Sequence, residues 1–181
     1  MNAIHFKHWS GIDKVMLGHA GNFQDLARLA MSIIRRIPVD IEMVSGPIST
    51  GGVGTIDGNR KVFEAVIEIL ILEDGLNVFS QMPFEDKMVE FYKKWHAENP
   101  LEKYCMPILH DFYEPVFSSG RVKALHFIDG WESSFGAKWE HGNCSKWGIK
   151  RKYLSRELSQ RALAQSSTNF TTDHENAQTC R

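Results

Sequence analysis

Phe23, Leu26, Leu29, Ala30, Ile33 and Ile34 recur at three-and-four spacing, the signature of one apolar helical face. Asn22 supplies a capping oxygen before them and Pro38 a stop behind, so a helix is predicted between the two. Ile41 to Val44 then reads as a short apolar strand, closing at Ser45-Gly46-Pro47 and followed by a Gly-, Ser- and Thr-rich loop as far as Gly58. From Asn59, the stripe Val62, Phe63, Val66, Ile67, Leu70 and Ile71 predicts a second helix, ended by Asp74-Gly75 and followed by a strand over Asn77 to Ser80. Strand, loop, helix and strand at these lengths suit a right-handed parallel βαβ unit.

Phe84 to Trp95 reads as a helix, Asn99-Pro100 as a break, and Leu101 to Phe117 as a further helical stretch marked by Pro107 and Pro115. Val122 to Ile128 predicts a buried strand closed by Asp129-Gly130, and Ser134 to Trp147 a helix stopped by Gly148. Ile149 to Leu154 is expected as another strand, with Ser155 capping a last helix that carries Leu158, Ala162 and Leu163. Beyond Gln165 the run SSTNFTTDHENAQTCR has the polar composition of a disordered tail. The expected organisation is a helical extension over 1–40, an α/β domain over 41–155, and a helix with tail over 156–181.

Composition narrows the function classes. In 181 residues, 21 Lys and Arg face 22 Asp and Glu, so no basic field exists to hold polymeric nucleic acid or an anionic membrane. No run approaches the roughly 18 apolar residues of a spanning helix, and the first residues lack a signal-peptide pattern, so a cytoplasmic home is expected. Cys105, Cys144 and Cys180 are odd in number and form no C-x-x-C pair, which suggests neither a disulfide frame nor a zinc knuckle. The histidines form no H-E-x-x-H, and no metal is expected.

Chemistry concentrates at two junctions where a strand hands over to a helix, the place where open parallel sheets bind ligands. In Ser45-Gly46-Pro47-Ile48-Ser49-Thr50-Gly51-Gly52-Val53-Gly54, glycines let backbone amides approach an anion and hydroxyls can donate to one. The loop has neither the P-loop ending nor the dinucleotide fingerprint. The second junction, Gly130-Trp131-Glu132-Ser133-Ser134-Phe135-Gly136-Ala137-Lys138-Trp139-Glu140, sets a carboxylate one turn inside a helix, with Ser134, Gly136 and Glu140 expected to face one cleft.

Together these motifs resemble the nucleoside 2-deoxyribosyltransferase-like superfamily, which includes deoxynucleoside 5′-monophosphate N-glycosidases. The resemblance covers roughly Ile41 to Ile149. It rests on Ser45-Gly46-Pro47 and Gly51-Gly52, on Asn59 and Phe63 in the next helix, and on Gly130-Trp131-Glu132, Ser134, Gly136-Ala137 and Glu140 in order. It implies a single α/β domain of three layers, Rossmann-like or flavodoxin-like, with helices on both faces of a parallel sheet. It further implies a reaction without a cofactor, in which Glu140 attacks the anomeric carbon of a nucleoside or nucleotide, displaces the base, and yields a glycosyl-enzyme resolved by water or a second base. A nearby helix N-terminus is expected to help hold that carboxylate's charge.

Ser45, Gly46, Pro47, Gly51, Gly52, Asn59, Gly130, Trp131, Glu132, Ser134 and Gly136 are the residues expected to hold the substrate. Ser134 stands where the monophosphate-hydrolysing relatives carry a phosphate-binding serine, whereas the loop Ile48-Ser49-Thr50 lacks the arginine those relatives commonly place there. Asp111 and Glu114 are the candidates for a second acid, and a homodimer or higher homo-oligomer is the implied assembly.

Other readings stay open at this level. Glu132 either lines the site or caps the helix start, and Trp131 either stacks on a base or packs. Trp139 and Trp147 are expected to pack. Lys146, Lys150, Arg151, Lys152 and Arg156 form a solvated face, or greet a phosphate or a neighbouring chain. The rival function is a non-catalytic nucleotide-binding or sensing module on the same fold, and a scaffold used only for assembly is a third.

Overall fold

The computed structural model describes residues 1–48 and 51–165, so the polar stretch after Gln165 lies outside it. Seven α-helices and a three-stranded parallel sheet make up the described residues. The helices are α1 (Gly11–His19), α2 (Phe23–Arg36), α3 (Ile56–Leu72), α4 (Glu85–Glu98), α5 (Glu114–Ser118), α6 (Phe135–Asn143) and α7 (156–165). Strands β1 (Ile41–Ser45), β2 (Val122–Phe127) and β3 (Lys150–Tyr153) lie in the order β1-β2-β3, with Ser45 opposite Phe127 and Phe127 opposite Tyr153. The carboxyl ends of all three strands therefore fall in line.

Local chemistry explains most boundaries. Asn22 accepts from the Asp25 amide at the start of α2, Thr55 from Gly58 at α3, Ser134 from Ala137 at α6, and Ser155 from Leu158 at α7. The α2 stripe joins Met43, Phe79, Phe84, Phe112, Phe117, Leu125 and Phe127 in one core, and the α3 stripe joins Val44, Val78 and Ile128 in a second. Met43 and Val44 go to different cores because successive strand residues point to opposite faces.

Several sequence expectations change. The strand over Asn77 to Ser80 shrinks to a single bridge between Val78 and Glu42. Two backbone bonds flank that bridge, but the Gln81 side chain then takes the Val44 carbonyl at 2.8 Å and Pro83, which has no N–H, opens a tight turn. The second helix starts at Ile56 rather than Asn59, because Thr55 provides the cap. The stretch from Leu101 is non-helical as far as Cys105, and Ile108–Tyr113 is wound as a π-helix. The Ser134–Trp147 helix tightens into a 3₁₀ turn from Cys144 onward. Helix α1 was not anticipated; it is fixed by a capping box between Ser10 and Asp13. Among the described residues no helix is long and apolar enough to cross a membrane.

Candidate active site

Strand β1 ends at Ser45, and its hydroxyl donates a hydrogen bond to the Glu140 carboxylate on α6, 95 residues away in sequence. Glu140 is 7% exposed. Loss of water drives its pKa up to about 8, and the Ser45 hydrogen bond only partly offsets that rise. The expected help from the helix N-terminus does not prevail, because Glu140 is the sixth residue of α6 and the dipole's influence fades within the first turn.

Glu140 lines a cavity of about 240 Å³ together with Glu85, Tyr104, Tyr113, Ser134 and Gly136. Glu85 is the first residue of α4 and only 4% exposed. Burial lifts its pKa to about 7, with the Arg60 charge pulling it down and Asp86 pushing it up. Tyr104 and Tyr113 are raised too, first by burial and then by the charges of both Glu85 and Glu140. Each of the two phenols thus feels the charge of both carboxyls. Gly136 makes this possible: a Cβ there would stand 2.7 Å from the Tyr104 hydroxyl oxygen.

The expected site residues divide between two cavities. Gly46, Ser134, Gly136 and Glu140 line the carboxylate cavity, with Ser45 reaching it through its hydrogen bond. Pro47, Gly51, Gly52, Asn59 and Gly130 line a separate cavity of about 520 Å³, which also holds Arg156 and Ser133. The loop is folded away by Asn59, whose amide donates to the Ile48 and Gly51 carbonyls and accepts from the Val53 amide. Gly51 and Gly52 both adopt positive φ, and the Gly52 amide donates to Ser133. Ser49 and Thr50, whose hydroxyls were expected to serve an anion, lie outside the described residues.

Neither expected second acid lines the carboxylate cavity. Glu114 is taken up by Lys146 at 2.7 Å and His110 at 3.0 Å, and these partners hold its pKa down. Asp111 is half-buried on the π-helical turn, whose wider winding directs Ile108 and Tyr113, five residues apart, to the cavity instead. Trp131 stacks on His141 at 4.3 Å and packs on Phe127, and Glu132 is exposed; neither lines either cavity. Trp139 and Trp147 pack on each other and on the first core. Of the basic cluster, Lys146 pairs with Glu114, Lys152 with Glu42, and Arg151 holds the His141 carbonyl.

Sequence reasoning missed Glu85, Tyr104 and Tyr113. A readable signal existed for the first, because Glu85 shares a helical face with Met88, Val89 and Tyr92, and an acid on an apolar face is out of place unless it has a partner or a task. Among the described residues no three His, Cys, Asp or Glu side chains converge as a metal-ligand group. No family model, curated protein or solved structure matches the chain.

Proposed function

We propose that this chain belongs to the nucleoside 2-deoxyribosyltransferase-like superfamily and acts as an N-glycosidase or deoxyribosyltransferase on a nucleoside or its 5′-monophosphate. The observation that carries the reading is the pair Glu140 and Glu85, two water-poor carboxyls lining one small cavity with pKa values raised to about 8 and about 7. Paired carboxyls with displaced titration are the equipment of glycoside cleavage.

In the proposed reaction the Glu140 carboxylate forms a bond to the anomeric carbon while the C–N bond breaks. The departing base keeps the electron pair and takes the Glu85 proton. Water, or a second base, then attacks the same carbon, releases the Glu140 carboxylate and returns a proton to Glu85. Ser45 acts on the nucleophile, since its hydrogen bond favours the ionised form. The productive state has Glu140 ionised and Glu85 protonated, which is about a tenth as populated as the opposite arrangement if the two titrate independently. Positive charge developing on the sugar shifts that balance toward an ionised Glu140.

The raised Glu140 pKa also favours a second reading, a nucleotide-binding module without turnover, because a carboxyl that is mostly protonated at neutral pH binds rather than attacks. The three-layer flavodoxin-like arrangement, the cytoplasmic setting and the homodimer belong to the same proposal as the family.

Release of free base from a panel of nucleosides and 5′-monophosphates tests it. Glu140→Gln is expected to abolish release and Glu85→Gln to lower it by about 10²- to 10⁴-fold. Ligand binding with no release from any substrate selects the binding module.

A further inference from the structure

The carboxylate cavity is polarised from end to end. Along α4 its lining runs through Glu85, Met88, Val89, Tyr92 and Lys93, the i, i+3, i+4, i+7, i+8 face of one helix. Glu85 is 4% exposed, Tyr92 is 40% exposed and Lys93 is exposed, so this helix leads from the acidic floor to open solvent. At 1.5 Å per residue, Lys93 stands about 12 Å along the axis from Glu85. Lys103, also exposed, lines the same cavity just before Tyr104.

These two lysines differ from others on the same helix. Lys87 and Lys94 are both tied to Glu90, whereas Lys93 and Lys103 have no ion-pair partner among the described residues. Among the described residues Glu85 and Glu140 are the only carboxyls lining this cavity, and both are buried.

We infer that Lys93 and Lys103 form a phosphomonoester site at the mouth of the cavity, so that the ligand is a nucleoside 5′-monophosphate held with its sugar toward Glu85 and Glu140. The nucleoside part of this inference rests on the N-glycosidase reading. Of the glycine-rich loop, which the sequence offered for the phosphate, Gly46 and Ile48 line the carboxylate cavity while Pro47, Gly51, Gly52 and Val53 line the other. A phosphate dianion is attracted by the two ammonium groups at the rim and repelled by whichever floor carboxyl is ionised, which sets the direction of entry. The contact is solvent-exposed and therefore sensitive to salt.

Calorimetric titration of the Glu140→Gln protein with the four common 2′-deoxynucleosides and their 5′-monophosphates tests the inference without turnover. For the preferred base, the monophosphate is expected to bind at least about tenfold more tightly than the nucleoside at low salt, a gap of about 1.4 kcal/mol. That advantage is expected to fall below about twofold in a Lys93→Ala/Lys103→Ala variant and to persist in Lys93→Arg/Lys103→Arg. Inorganic phosphate should compete with the monophosphate only where the lysines or arginines are present. Equal affinities, an advantage that survives the alanine pair, or no binding of either ligand would overturn the inference. Base release by the unmodified chain separates the two readings. A lysine-dependent advantage without release sinks the glycosidase and keeps the phosphate site. Equal release from nucleoside and monophosphate, unaffected by the alanine pair, does the reverse.

Discussion

Replacing Glu140 with Gln should stabilise the protein progressively as pH rises. Folding lifts this carboxyl from its ordinary 4.5 to about 8, so between those values the folded state binds a proton that the unfolded chain has already lost. A carboxyl raised in this way lowers stability as pH climbs through the window, and the effect levels off above pH 8. Integrating the single titration from pH 5 to pH 8 gives a loss of about 3 to 4 kcal/mol, a large fraction of a typical domain's total. Gln removes the ionisation but keeps an oxygen that can accept from Ser45. Urea denaturation of both proteins at pH 5 and pH 8 measures the difference. The stability gap between variant and wild type should widen by about 3 to 4 kcal/mol across that range, or roughly 7 to 14 °C in Tm. A gap that stays constant within about 1 kcal/mol would refute the claim that the Glu140 charge is formed out of reach of water.

Base release should follow a bell-shaped pH profile centred at about 7.5, with limbs from Glu140 and Glu85; a plateau from pH 6 to pH 9 would remove both groups from the rate. Ser45→Ala deletes the one hydrogen bond that favours ionised Glu140, and should move the Glu140 limb upward by about one to two pH units. An unshifted limb would place that hydroxyl outside the chemistry. Gly136→Ala sets a methyl group 2.7 Å from the Tyr104 hydroxyl, and should lower stability by about 1 to 3 kcal/mol in chemical denaturation while slowing base release. Asn59→Ala breaks three loop hydrogen bonds and should lower stability by about 1 to 3 kcal/mol. It should also speed amide exchange across residues 51–54, whereas unchanged exchange would deny Asn59 its role as the loop's anchor.

Much of the fold was legible because cap and stripe agree along α2, the apolar stripe marks α3, and Ser134 marks the start of α6. Asn22 and Ser134 announce helix starts that the structure repeats, and Val122 to Phe127 is apolar enough to be read as a buried strand. Helix α1 was not legible from apolar periodicity, since Ile12, Val15 and Met16 are 73%, 61% and 49% exposed and its capping box is the stronger signal. The strand over Asn77 to Ser80 failed for a tertiary reason: a Gln81 side chain takes a carbonyl that a longer strand would have used. At the candidate site, the motif around Ser134 and Glu140 led to residues that do line one cavity. Asp111 lies on a π-helical turn and Glu114 just after it, and neither lines that cavity, while Glu85 reaches it from a helix that follows no recognised motif. The composition of the glycine loop describes freedom of backbone but not the direction in which Asn59 pulls it, so its division between two cavities was not legible.

The most direct test of Glu140 as a nucleophile is the configuration of the sugar product formed in water containing methanol, read by NMR on the methyl glycoside. Two displacements at one carbon preserve configuration, so the account predicts the β-methyl glycoside from a β-nucleoside or its 5′-monophosphate, and none from Glu140→Gln. The α-methyl glycoside, or the β product formed undiminished by Glu140→Gln, would contradict it.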